Sequence, residues 1–387
     1  MSRPPGRFRC VRRHLQDFRG FAKRKPNRYR SGHDRHDRPG ATPLSGPRRP
    51  RKDSLPRPAS ASGETPRPAA EAAAPAAGPR PAPPKRPGAR PAERLPVILT
   101  VEPDADYALL DSGAGEKLER YGPLTVRRPE NQAIWGKRLA DPAWEAADAI
   151  FTGDTDEEGL GRWRFPKVPL GETWPLEHKG LSYLGRFTSY RHTGVFPEQA
   201  GHWAFVTDAI AAAKRPVKVL NLFGYTGLAS LLAARAGAEV THVDASKKAI
   251  LWARENQELA GLTEAPIRWI CEDAVRYAER EVKRGSRYDI VLLDPPRFGR
   301  GPKGEVWQLL DDLPYLLDLC RSLMSDKPLA LILTAYSIRS SFYSLQALMT
   351  ETLRGMGGTV ESGELIIREA GEDARCLSTS LFSRWIP

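Results

Sequence analysis

From about residue 204 the chain alternates apolar runs of strand length with stretches of helical spacing. Residues 217–223 form the first apolar run, Gly224-Tyr225-Thr226-Gly227 ends it, and residues 228–236 follow with helical composition. The order then repeats, with a strand at 239–244, a helix at 246–260 capped by Ser246, a strand at 267–271 and a helix at 274–282. The spacing predicts a fourth strand at 288–293, a helix at 305–323, a fifth strand at 329–334 and a helix at 340–354. Strands joined by crossover helices pair in parallel and are covered on both faces. The pattern predicts a doubly wound α/β domain over residues 191–387.

Upstream the rhythm is different. Residues 97–101, 107–111, 124–126, 133–135 and 181–183 are short apolar segments separated by turn residues, which predicts a small β-rich accessory domain over 95–190. Its polar-aromatic stretch Arg162-Trp163-Arg164-Phe165 reads as core before it reads as a nucleic-acid contact. Residues 1–94 show neither period. They hold 18 of the 35 prolines and cannot bury enough apolar surface to offset the entropy of ordering, so they read as a disordered tail.

Charge sharpens this division. Residues 1–94 carry 24 Lys and Arg against 7 Asp and Glu, whereas the remainder carries 35 against 40. The basic clusters at 7–30, interleaved with Phe8, Phe18, Phe21 and Tyr29, suit phosphates and bases; a solubilising or targeting extension is the other reading. Asp34, Asp37 and the long Pro/Ala linker fit an organellar transit peptide poorly. Four cysteines, Cys10, Cys271, Cys320 and Cys376, lie far apart with no CxxC and no paired spacing with histidine, which argues against a zinc site or disulfide framework. With no apolar run long enough to cross a bilayer and no signal-peptide core, the expectation is a cytoplasmic protein without membrane or metal partners.

In a doubly wound sheet, function gathers at the carboxyl ends of the strands. Strand one ends in the two glycines, which let the backbone approach a ligand. Strand two ends in Asp244, whose carboxylate can accept from both hydroxyls of a ribose. Strand three ends in Glu272-Asp273-Ala274, and strand four in Asp294-Pro295-Pro296-Arg297-Phe298-Gly299. For Asp244 and Asp273 taken singly, a helix N-cap and a ligand contact both stand.

With Phe223-Gly224-Tyr225-Thr226-Gly227, Val243-Asp244-Ala245-Ser246 and Asp294-Pro295-Pro296-Arg297-Phe298 in this order, residues 190–387 resemble a class I S-adenosylmethionine-dependent methyltransferase with its Rossmann-like sheet. More narrowly they resemble the bacterial branch that methylates large-subunit (23S) ribosomal RNA at cytosine C5 or guanine N7. The resemblance implies S-adenosyl-L-methionine as cofactor. It would place Phe223, Gly224, Tyr225, Thr226 and Gly227 under the sugar and methionine, Asp244 at the ribose with Ala245 and Ser246 beside it, and Asp273 and Ala274 at the adenine. Asp294 would lie near the methyl sulfonium and the incoming base. The stretch from His192 to Gln199 resembles the segment that closes over the cofactor, which adds Thr193, Phe196 and Gln199.

Methyl transfer is an in-line displacement, so alignment and charge placement supply the rate and no metal is needed. Asp294, Pro295 and Tyr336 are the candidate catalytic residues, and Arg297, Phe298, Arg300 and Arg339 the candidate substrate contacts. Arg297 in the fourth place of the Asp-Pro-Pro block departs from the pattern of exocyclic-amine methyltransferases. Cytosine C5 chemistry needs a nucleophilic thiolate; in the cytosine C5 members of the branch that this chain resembles, that cysteine lies just after strand five, where this chain has Tyr336. The expected function is therefore methylation of an RNA base, ribosomal RNA first, without a covalent cysteine intermediate. A protein or small-molecule methyltransferase, or a non-catalytic RNA-binding factor on the same fold, are the alternatives.

Overall fold

The computed structural model describes residues 80–153, 161–336 and 340–387. Strand β1 (Ala92–Val101) is followed by β2 (Tyr107–Gly113), β3 (Glu116–Tyr121) and β4 (Leu124–Pro129), then by a short helix α1 (Asp141–Glu145). Strands β5 (Ala149–Gly153) and β6 (Gly161–Arg164) complete a five-stranded sheet in the order β2-β3-β4-β5-β6. A separate hairpin joins β7 (Thr173–His178) to β8 (Leu181–Arg186).

The α/β part opens with a 3-10 turn at Pro197–Gln199 that runs into α2 (Ala200–Ala213). Then come β9 (Lys218–Leu222), α3 (Leu228–Arg235), β10 (Glu239–Asp244), α4 (Lys247–Leu259), β11 (Ile267–Cys271), α5 (Ala274–Arg284) and β12 (Ile290–Leu293). A small hairpin, β13 (Phe298–Arg300) with β14 (Val306–Gln308), precedes α6 (Leu309–Leu323), β15 (Ala330–Tyr336), α7 (Phe342–Thr352), β16 (Thr359–Arg368) and β17 (Cys376–Ile386). The main sheet is eight-stranded, in the order β1-β16-β17-β15-β12-β9-β10-β11. Its central strands are parallel, and β17 runs antiparallel between β15 and β16.

The apolar runs divide between the two faces at every second residue. Leu220, Leu222, Val291, Leu293, Leu331 and Leu333 pack with α5, α6 and α7, while Val219, Ile290, Leu292, Ala330 and Ile332 pack with α2 and α3. A strand buried on both faces has no polar side to show, which is why these segments read as unbroken apolar runs.

Three details differ from the reading of the sequence. First, β1 belongs to the α/β sheet, paired in parallel with β16 (Val97 beside Gly363, Val101 beside Ile367), and not to the β-rich domain. Second, residues 80–94, assigned to the tail, lie on the folded body: Arg80 pairs with Asp312 at 2.8 Å, Arg86 with Asp318, Arg90 with Glu351 and Arg94 with Glu361 at 2.8 Å. A proline- and arginine-rich segment is ordered here by acidic partners far along the chain. Third, Ala133–Trp135 is loop, and α6 starts at Leu309 because residues 306–308 pair with β13.

In the β-rich domain the centre is ionic. Glu119, fully buried, accepts from Tyr107 Oη at 2.9 Å, Tyr121 Oη at 3.0 Å and the Arg128 guanidinium at 2.8 Å. Arg128 also donates to the carbonyl of Arg191 at 2.9 Å. That bond anchors the start of the segment that leads to the candidate site.

Candidate active site at the carboxyl edge of the sheet

The turn after β9 is shaped by what lies beneath it. A Cβ on Gly224 would come within 2.4 Å of His242 Cε1 and 3.0 Å of Asn221 Nδ2, so no larger residue fits. Phe223 and Tyr225 take left-handed backbone angles, φ 58° and 52°, and Gly227 takes 85°. Such angles in side-chain-bearing residues persist only where the surroundings over-determine them. Here Gly224 N donates to Val243 O at 3.1 Å, Tyr225 N to Asp244 Oδ2 at 2.9 Å, Thr226 Oγ1 to Gly194 O at 2.6 Å, and Asn256 Nδ2 to Thr226 O at 2.9 Å.

Asp244 ends β10 and binds two backbone amides, the second being Ser246 N to Oδ1 at 2.8 Å. Burial pushes its carboxyl up, and the two amides oppose that. Ser246 caps α4 through Ala249 N at 3.2 Å, as expected, and Ala245 lies between them. Asp273 caps α5 by accepting from Arg276 N at 2.9 Å, with Ala274 as the first helical residue. The capping reading thus holds for Asp273, while Asp244 is no cap.

At the other side of β9, Asp294 follows β12. Its Oδ1 is shut off from solvent with no hydrogen-bond partner among the described residues. Burial, with the charge of Glu198 adding to it and the Gln199 amide opposing, pushes the carboxyl up to about 8. Gln199 Nε2 donates to Tyr336 Oη at 3.2 Å, and Thr334 Oγ1 donates to Gln199 Oε1 at 3.3 Å. The Phe196 ring stands 5.2 Å from that of Tyr336, 5.8 Å from Tyr225 and 5.1 Å from His192, centroid to centroid. Burial first, then the nearby Glu198 and Asp294, raise the Tyr336 hydroxyl well above its ordinary value, so it stays protonated.

An open cavity lies among these groups, lined by Phe196, Gln199, Asn221, Tyr225, Asp294 and Thr334 with the turn from Phe223 to Thr226. Asp244, Ser246, Asp273 and Tyr336 stand outside this lining. Thr193 is fully buried behind it. Pro295 is buried, and the Pro296 carbonyl accepts from Trp307 Nε1 at 2.7 Å, which fixes the turn. Arg297 and Phe298 are exposed, and the Arg300 guanidinium lies 6.0 Å from the centroid of the Phe298 ring. Arg339 lies outside the described residues.

The sequence reading missed Asn221, Glu198 and Thr334 as site residues. Asn221 alone carried a signal, an amide inside an apolar strand. The residues fit S-adenosylmethionine on the structure's own terms: Gly224 brings backbone to the cavity wall, and a buried carboxylate oxygen has no protein partner among the described residues. Among the described residues there is no cluster of three metal-ligating side chains and no helix long and apolar enough to cross a membrane.

Comparison with known proteins agrees. The family described as S-adenosylmethionine-dependent methyltransferase matches residues 142–326. Among curated relatives, ribosomal RNA large subunit methyltransferase K of Neisseria meningitidis is 27% identical over 212 residues, 52% of this chain and 57% of its own length. Ribosomal RNA large subunit methyltransferase I of Aeromonas salmonicida is 31% identical over 179 residues, 46% of this chain and 41% of its own. The chain thus spans about half the length of these two relatives. A solved structure of a protein complexed with SAH shares the fold at 17% identity, with a TM-score of 0.56 over 73% of this chain and 76% of that one. The crystal structure of the SAM-dependent methyltransferase from Agrobacterium tumefaciens is far nearer, at 63% identity and a TM-score of 0.77 over 79% of this chain and 98% of that one. On a likeness of that extent, the chain belongs to the S-adenosylmethionine-dependent methyltransferases.

Proposed function

We propose that this methyltransferase acts on a nitrogen of an RNA base, ribosomal RNA first, in the cytoplasm and without a covalent cysteine intermediate. The observation that carries the reading is Asp294 at the strand end, a carboxyl raised to about 8 whose Oδ1 is shut off from solvent and unpartnered among the described residues. Such a group can accept a proton from a ring or exocyclic nitrogen as that nitrogen is alkylated. S-adenosylmethionine supplies a methyl carbon bonded to positively charged sulfur. Asp244 holds the ribose hydroxyls with the lone pairs its two amide bonds leave over; Asp273 and Ala274 face the adenine, and Ala245 and Ser246 border the sugar. Residues 223–227 form the floor, and Thr193, Phe196 and Gln199 the cover. Pro295 fixes the direction of Asp294, and Tyr336 offers a neutral hydroxyl and a ring face.

The three described thiols support a direct transfer; Cys10 lies outside the described residues. Cys320 is fully buried in the core below the sheet. Cys271 is exposed beside Ala245, on the Asp244 side of the sheet. Cys376 lies four residues before Ser380, the partner of Tyr336 across the strands, which is about 13 Å of strand. The RNA reading leans on the curated relatives and on Phe298, Arg297, Arg300 and Arg339 as the substrate side of the site. The test is transfer of a labelled methyl group from S-adenosylmethionine to deproteinised RNA, followed by nucleoside digestion. Label on a nitrogen, lost in Asp294→Ala, is the expected result. Label on cytosine C5 would remove the direct mechanism, and label on protein or a small molecule would remove RNA.

A further inference from the structure

One residue of the cavity lining goes unused in the reading above. His202, on α2, is 2% exposed and lines the cavity together with Asn221, Val206 and Ile332. Neither ring nitrogen has a hydrogen-bond partner among the described residues. The ring is held edge-on against Phe382 of β17, with centroids 5.0 Å apart and planes at 75°. Burial, reinforced by the charge of Arg384, pushes its pKa down to about 3, so the imidazole is neutral and carries one N–H donor and one acceptor.

Of the other polar groups of the lining, Asp294 Oδ1 is a further atom unpartnered among the described residues, but an acceptor and not a donor. Asn221 Nδ2 donates to Ser230 Oγ at 2.9 Å, and Thr334 and Gln199 bind one another. Among the described residues no lysine or arginine lines the cavity, so an anion entering it must be received by neutral donors. Asp244 stands outside the lining, but its Oδ2 accepts from the backbone N–H of Tyr225 at 2.9 Å, in the turn from Phe223 to Thr226 that lines the cavity. A ligand held at Asp244 by its ribose would reach past that turn into the cavity with its sulfur and amino-acid portion. A carboxylate is acceptor-only, and the His202 N–H is a buried donor that lacks an acceptor.

We propose that His202 donates to the α-carboxylate of the amino-acid end of S-adenosylmethionine and thereby makes the site prefer ligands that carry that end. The inference rests on Asp244 as the ribose partner and is independent of what is methylated.

The test compares two ligands by calorimetry. S-adenosylhomocysteine carries the amino-acid end, and 5′-methylthioadenosine has the same nucleoside and thioether without it. His202→Phe keeps a ring to pack on Phe382 and removes the donor. It is expected to weaken S-adenosylhomocysteine about ten-fold or more and 5′-methylthioadenosine less than about two-fold, with His202→Gln recovering part of the loss. Equal weakening of both ligands, or no weakening of the first, overturns the proposal. Should the phenylalanine variant not fold, the unaltered protein decides by NMR. The His202 imidazole N–H should shift and become protected with S-adenosylhomocysteine alone; an equal response to both ligands, or none, overturns the proposal. Neither measurement contains RNA, so failure of the substrate reading leaves the outcome untouched.

Discussion

Asp244 and Asp294 stand on either side of β9 at one edge of the sheet, in opposite surroundings. Asp244 commits both oxygens to backbone amides, at 2.9 and 2.8 Å, so it cannot turn without disturbing the glycine turn. Asp294 keeps one oxygen buried and unpartnered among the described residues, and burial pushes its carboxyl up to about 8. A carboxylate tied to the backbone suits holding, and one with an open acceptor suits moving a proton. The same residue type at the same strand position is thus divided in role by its neighbours.

The sharpest way to break this contrast is Asp294→Asn. Turnover should fall about 100-fold or more, with affinity for S-adenosylhomocysteine within about three-fold in calorimetry. A loss of affinity with turnover preserved would exchange the two roles. Asp244→Ala should do the converse, weakening the same ligand about 10- to 100-fold.

The pH dependence follows from the sign of the Asp294 shift. A carboxyl raised to about 8 binds its proton more tightly folded than unfolded, so the stability it contributes is present below the ordinary carboxylate range and lost as pH rises through about 8. Melting curves should therefore fall between pH 5 and about 8, and fall less in Asp294→Asn. Turnover should rise over the same interval as the acceptor ionises. Between the two carboxylates, Gly224→Ala drives a methyl group into His242 and should lower stability by about 1–3 kcal/mol, read as a lower Tm with weaker ligand binding. The smallest effect is expected for Ser246→Ala, which removes a cap worth about 1 kcal/mol while the amide on Asp244 remains. Ligand affinity should then move less than about two-fold.

The carboxyl edge was legible because each parallel strand is an apolar run that stops at a polar residue, and Asp244 and Asp294 are such stops. The flanks of the sheet were not. In β16, Glu361 and Ser362 are buried, which no apolar pattern announces; they are satisfied by Arg384 and by Gln346 and Ser383, partners remote in sequence. β1 hides at the end of a proline- and arginine-rich stretch and becomes a strand through β16. His202 was equally hidden, since it looks like any helical histidine until its surroundings are known.

The pairing of β1 with β16 also sets an order in time. Arg94 meets Glu361 across 267 residues, so during synthesis the first strand of the sheet waits roughly 15–50 s for its partner to be made. Until then the apolar run Val97-Ile98-Leu99 is an unpaired edge, and everything from β2 to β15 is a loop that must close before the edge is sealed. The β-rich domain thus lies in the chain between β1 and the rest of the sheet to which β1 belongs. Truncations at residue 94 or 190 would leave, respectively, an edge without its start and a sheet without its first strand.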